Sequence, residues 1–210
     1  MLTIEDGEFL VRFARETAFK FLKGEAIETP SKWLEKPSRR SGVFVAVRQP
    51  ERDVKRLISC SGYCLPNQDL IKGLVDSSIN AIIRARSFLA PKSIKPDSVI
   101  FEASVLTIPK PVRVSKPTDL PRKIKVGLDG LLVELNFYRG VLLPQIAVEQ
   151  RWNETEFIAE CCMNAGLPAD IWLEGTASIY SFQADVFQEL LPFGDVTRIM
   201  SSSEEDSTLH

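Results

Sequence analysis

Gly42-Val-Phe-Val-Ala-Val47, then Gln49-Pro50-Glu51, then Val54-Lys-Arg-Leu-Ile-Ser-Cys60 decide the kind of fold this chain adopts. Both outer runs are short and carry β-branched residues, as strands do, and the Pro-containing stretch between them supplies a turn. They predict a hairpin or a pair of adjacent strands. The second run ends at Ser61-Gly62. A glycine there implies either a positive φ or a close backbone approach that a Cβ would obstruct.

Helical periods flank this strand pair. Phe9, Leu10, Phe13, Ala14, Thr17, Ala18 and Phe21 recur at helical spacing, and Gly24 stops that helix. After the strands, Asn67 is the expected cap of a helix with the stripe Leu70, Ile71, Leu74, Val75, Ile79, Ile82 and Ile83, closed by Pro91. Glu25 to Ser41, with Trp33 between Pro30 and Pro37, reads as a loop packed down by its aromatic. Ser98 to Ile108 predicts a long strand, and Lys123–Val126 with Leu131–Leu135 predicts a second hairpin around Asp129-Gly130. Asn153 and Glu156 form a capping-box pattern before Phe157, Ile158, Cys161 and Cys162. Adjacent cysteines on one helix point about 100° apart, so at most one should face a core. Thr176–Phe182 and Val186-Phe187 give the last extended run before a polar tail over 200–210. These elements predict an α+β fold over residues 1–199, organised around one core or as two small lobes.

Composition narrows the function classes. Hydrophobic residues are 44% and charged residues 26% of the 210, values of an ordinary globular chain. The net charge of −2 lacks the basic excess of nucleic-acid binders, and the Lys32, Lys36, Arg39 and Arg40 cluster reads as a solvated loop. Glu5, Asp6 and Glu8 occupy the start of the chain where a signal peptide would carry its apolar region. No apolar run reaches the roughly 18 residues of a membrane span, and a cytoplasmic setting is expected.

The single histidine, His210, is the last residue. Without an internal imidazole there is no Ser-His-Asp triad, no Cys-His pair and no histidine-based metal triad. Cys60, Cys64, Cys161 and Cys162 lack the spacing of a zinc knuckle or of a disulfide framework, so neither a metal nor a cofactor is expected. A bridge from Cys60 or Cys64 to the vicinal pair stays open for a hyperthermophilic source. Gly42, Gly62 and Gly73 are isolated and form no phosphate-binding fingerprint.

Gly130-Leu-Leu-Val-Glu134, Arg139-Gly-Val-Leu-Leu-Pro-Gln-Ile-Ala-Val-Glu149, Trp152, Glu156-Phe157 and Cys162-Met-Asn-Ala-Gly-Leu-Pro168 resemble the AMMECR family in order and spacing. Phe101–Pro109 and Phe182–Glu189 extend the resemblance over nearly the whole chain. It implies an α+β fold, a mainly antiparallel sheet flanked by helices with a smaller second lobe, and a cleft between lobes as the place for a site. It also implies a pathway shared with radical-SAM and Memo-type proteins, without assigning a reaction. The family hallmark Leu-Arg-Gly-Cys-Ile-Gly is matched by Leu57-Ile58-Ser59-Cys60-Ser61-Gly62, which keeps Leu, Cys and Gly and loses the Arg. Asn164 likewise stands where relatives carry Lys.

Two functions follow as expectations. In one, Cys60 and Glu102 are catalytic, and Arg56, Gly62, Arg139, Gln145 and Glu149 help bind a small or peptide-borne anionic group. The chemistry is that of a thiolate favoured by a nearby cation and a carboxylate held in an apolar strand. The same residues also admit packing roles: Cys60 as a small buried hydrophobe, Glu102 as a paired or outward carboxylate, Arg139, Gln145 and Glu149 as loop braces. The second function is a non-catalytic interaction module, with Trp33 and the loops near Pro37 or Pro117 as partner anchors.

Overall fold

A computed structural model describes residues 2–29, 40–52, 54–89 and 94–200. In it β1 (Gly42–Glu51) and β2 (Val54–Tyr63) pair antiparallel, so the opening strands do form a hairpin. Ala46 stands opposite Cys60 and Phe44 opposite Gly62. The expectations at Lys32, Trp33, Lys36, Pro37, Arg39, Pro91 and His210 lie outside the described residues.

Helix α1 (Ile4–Lys23) opens with a capping box between Thr3 and Asp6 and ends at Gly24, whose φ of 72° is the left-handed conformation that terminates helices. Helix α2 (Leu70–Phe88) is capped by Asp69, whose carboxylate accepts from the Ile71 N–H at 2.9 Å. The expected cap Asn67 instead sits in the preceding turn, its N–H donating to the Leu65 carbonyl at 2.8 Å. Both are capping residue types, and the one next to the first helical residue takes the role.

The chain divides into two compact units. The first comprises Met1–Val105 and Asp185–Ile199. Its five-stranded sheet runs β2-β1-β3-β8-β9, with β3 at Ile100–Leu106, β8 at Ala184–Glu189 and β9 at Val196–Met200. Val43, Val45, Val47, Phe101, Ala103 and Val105 alternate onto one face and share a buried core with Leu10, Phe13, Leu74 and Ile82 of the two helices. Each such Leu, Ile or Phe stabilises by about 1.5–3 kcal/mol relative to exposure, which makes this face the one that cannot be turned over.

The second unit, Leu106–Ala184, holds a four-stranded sheet in the order β4-β7-β5-β6. Its strands are β4 (Lys110–Pro111), β5 (Gly130–Leu135), β6 (Tyr138–Leu142) and β7 (Ser178–Phe182), and both sheets are antiparallel. Helices α3 (Pro144–Gln150) and α4 (Glu154–Asn164) follow β6. Leu131, Val133, Phe157, Ile158, Cys161 and Trp172 centre its core.

Several expectations fail here for physical reasons. Lys123–Val126 is not a strand: Pro117–Lys123 is a 3-10 helix, and residues 125–129 close on themselves. The Lys125 N–H donates to the Asp129 carboxylate at 2.8 Å and the Asp129 N–H to the Lys125 carbonyl at 2.9 Å. The left-handed residue is Gly127, at φ 89°, and β5 pairs with β6 and β7 instead. Asp129 thus serves its own backbone, the usual alternative for a short carboxylate in a turn. Cys161 and Cys162 are both fully buried, because α4 packs against β5, β6 and two 3-10 helices. Helix α3 and strand β9 have no counterpart among the elements that the sequence predicts. Each is too short for its apolar period to stand out, although Pro144 at the first turn is a regular helix-opening signal. No helix among the described residues is long and apolar enough to cross a membrane.

Candidate functional site

Alternation along the strands decides which side chains can meet. Ser59 donates its hydroxyl to the Ala81 carbonyl of α2 at 2.8 Å, so Cys60, the next residue, belongs to the opposite face of the first sheet. Glu102 lies between Phe101 and Ala103 of the helix-packed core and is assigned to that same opposite face. Between Val47 and Arg48 the register with β2 shifts, leaving Ile58 as the extra residue of a bulge. The bulge puts Arg48 and Leu57 opposite one another beyond Ala46 and Cys60.

A polar network results. The Arg48 Nε donates to Glu102 Oε2 at 2.8 Å, and its Nη1 donates to the Lys55 carbonyl at 3.1 Å. The Gln188 side-chain amide donates to the same Glu102 oxygen at 2.6 Å. The Lys55 ammonium donates to Gln188 Oε1 at 2.7 Å and to the Glu189 carbonyl at 3.1 Å. Arg48 is 3% exposed and Glu102 1%, so the pair is withdrawn from water. Partial burial, and then the neighbouring Arg48 charge, hold the Lys55 pKa below the ordinary lysine value.

The expected site residues fall in two places. Cys60, Gly62 and Glu102 share the described face of the first sheet, with Cys60 half-buried. Arg56 belongs to β2 but is exposed at the hairpin end, where it pairs with Glu51 at 3.4 Å. Arg139, Gln145 and Glu149 belong to the second unit. Arg139 pairs across β5 and β6 with Glu134 at 2.5 Å, Gln145 is buried at the start of α3, and Glu149 is exposed near its end.

Residues missed in the sequence carry much of the network. Arg48 interrupts the apolar run of β1, a signal of the same kind that singled out Glu102, whereas nothing local marks Lys55 or Gln188 as its partners. Ile58, at the position of the lost hallmark Arg, packs against the first core. The guanidinium that reaches the Cys60 main chain is that of Arg84 on α2, which donates to its carbonyl at 3.5 Å. Asn164, the other departure, accepts the Val141 N–H of β6 at 3.0 Å and so occupies a backbone donor of a strand edge. Gly62 keeps a negative φ, and its Cβ would lie 2.3 Å from the Val43 carbonyl oxygen, so close approach is the reason for glycine there. None of the four cysteines is in a disulfide. Among the described residues no group of three or more His, Cys, Asp or Glu side chains is arranged to hold a metal ion.

Comparison with known proteins agrees with this architecture. A protein of Thermococcus gammatolerans is 40% identical over 204 residues, covering 94% of this chain and 98% of that one. Protein MJ0810 of Methanocaldococcus jannaschii is 37% identical over 197 residues, covering 93% and 96%. The crystal structure of the uncharacterized protein PH0010 from Pyrococcus horikoshii matches with a TM-score of 0.77 at 39% identity, over 93% of this chain and 97% of that one. The AMMECR1 family model matches residues 11–187, which takes in both sheets' central strands and the Cys60 strand β2, and the chain belongs to that family.

Proposed function

We propose that this protein binds a small anionic group, free or carried on a peptide, at the face of the five-stranded sheet that carries Cys60 and the Arg48–Glu102 pair. The observation that carries this reading is Lys55. Its ammonium is half-buried and donates to two neutral oxygens, the Gln188 amide and the Glu189 carbonyl. An ammonium has three donors, so one remains for a ligand. Partial loss of hydration makes an anion there worth more than at an exposed lysine.

Glu102 acts in this reading as the buried counter-charge that holds Arg48 in place, and Cys60 is the group available for covalent work on a bound substrate. A cytoplasmic setting belongs to the same proposal, in keeping with the unbridged thiols.

The test has two arms on the full chain. Inorganic phosphate and citrate are titrated by NMR against the wild type, Lys55→Gln and Arg56→Gln. Loss of binding in Lys55→Gln alone supports the site. A negatively charged thiol reagent measures Cys60 at neutral pH, with slowing by the same anions as the expected result. Equal anion binding by all three proteins, or a Cys60 that reacts no faster than the buried thiols, overturns the reading.

A further inference from the structure

The second unit contains a cavity of about 570 Å³, within the usual size of small-molecule sites. Its origin is legible in the chain. β4 consists of Lys110 and Pro111 only, and the last contact of this segment with β7 is the Val112 N–H donating to the Ile179 carbonyl at 2.9 Å. The chain then leaves β7 and re-enters regular structure at Pro117, the first residue of a 3-10 helix. Gly175, at φ 70°, turns the opposite wall, with the Pro117 ring 3.4 Å from where its Cβ would stand.

Trp172, Pro117 and Leu120 give this space apolar walls, while Arg113, Ser178 and Tyr180 add polar ones. Arg113 forms no ion pair or hydrogen bond with the described residues, although it lines the cavity. The segment around it is strongly basic. Lys110, Arg113, Lys116, Arg122 and Lys123 against Asp119 alone leave +4 over residues 110–123, in a chain whose total is −2. Adding Glu174 from the facing wall still leaves +3.

We infer that this cavity is a second binding site, for a small organic anion whose flat apolar body packs on Trp172 and Pro117 while its head group pairs with Arg113. The guanidinium fork takes a carboxylate or a phosphate ester equally by geometry, so the shared chemistry is an oxyanion on an aromatic or similarly planar body. The site is independent of Lys55, and neither proposal needs the other. A bounded space with one tryptophan favours a small molecule over a polynucleotide, which would call for a track of stacking rings.

Phenylacetate, phenyl phosphate and neutral phenylacetamide are the probes, added to the full 15N-labelled chain. The Trp172 indole signal is assigned as the one that disappears from the spectrum of Trp172→Phe. At least one anion should shift that signal and bind about tenfold or more tightly than the amide, as a charge-assisted hydrogen bond requires. Arg113→Gln should erase the preference for anion over amide, and Arg113→Lys should keep part of it. Tighter binding of phenyl phosphate identifies a phosphate-ester site, and tighter binding of phenylacetate a carboxylate site. An indole signal unmoved by all three probes at millimolar concentration, equal binding of acid and amide, or an undiminished preference in Arg113→Gln overturns the inference. So does binding of an oligothymidylate without any response to the phenyl anions.

Discussion

Gly62 shows how much one missing methyl can decide. Its strand pairing with Phe44 is regular, yet a Cβ would meet the Val43 carbonyl oxygen at 2.3 Å and the Phe44 Cα at 2.6 Å. Two backbones cannot both keep their places around that atom, so Gly62→Ala must push β1 and β2 apart. Overpacking of this kind costs about 1–3 kcal/mol. In a chain of this size that corresponds to a fall in Tm of roughly 2–12 °C. Thermal and urea denaturation of the variant measure it, and an unchanged midpoint would show that the strands separate without strain. The sequence marked this glycine but offered two reasons for it, and only the packing around Val43 selected one.

At the scale of elements, α4 illustrates burial on more than one side. Helical geometry alone allowed one of Cys161 and Cys162 to face a core, but α4 is enclosed by β5, β6 and two 3-10 helices. Cys161 lies 3.5 Å from the Leu131 carbonyl and 3.6 Å from that of Gly140. Burial pushes the Cys162 thiol up from 9.0 to about 11, with a Trp172 backbone hydrogen bond opposing the shift. The folded chain therefore holds this proton where the unfolded chain releases it. The contribution of this thiol to stability should be constant below pH 9.0 and should fall as pH climbs from there toward about 11. The loss over that window is on the order of 2–3 kcal/mol. Urea unfolding of wild type and Cys162→Ala across it isolates the effect: the variant should lose less stability with rising pH, and parallel curves would refute the assignment.

Across the whole chain, the first unit is assembled from segments separated by the entire second unit, and one buried ion pair joins them. Arg15 of α1 pairs with Glu189 of β8, 174 residues later, its Nε donating at 2.7 Å and its Nη2 to the other carboxylate oxygen. The same guanidinium donates to the Pro96 carbonyl at 2.7 Å and the Val99 carbonyl at 2.6 Å, and the Phe101 N–H donates to Glu189 at 2.9 Å. The Phe101 and Phe193 ring centroids stand 4.9 and 4.4 Å from the Arg15 guanidinium carbon. Arg15→Ala leaves Glu189 fully buried, with Arg12 at 3.3 Å as its remaining ion-pair partner. Breaking a buried pair from one side costs about 3–5 kcal/mol. Chemical denaturation should show that loss, and a change under about 1 kcal/mol would mean Arg12 and water replace Arg15.

Legibility in the sequence followed the range of the interactions. Short-range signals were sufficient for the β1–β2 hairpin, for α1 and its Gly24 stop, and for the Asn153–Glu156 cap of α4, because alternation, helical period and capping each act within a few residues. The same local reading placed Cys60 in the second strand of the hairpin and Glu102 within an apolar strand, although β2 runs on past the expected end at Ser61-Gly62 to Tyr63. The shape of the resemblance, spread over both units, was legible too. What only the tertiary structure decided was pairing at a distance: Glu102 with Arg48 and Gln188, Lys55 with Gln188, Arg15 with Glu189, and β5 with β6 and β7 in place of the expected Lys123–Val126 partner. A buried charge must find a counter-charge or a donor, but the sequence requires only that one exist. Which residue supplies it depends on strand order, and here that order brings 185–199 back beside a sheet begun more than a hundred residues earlier.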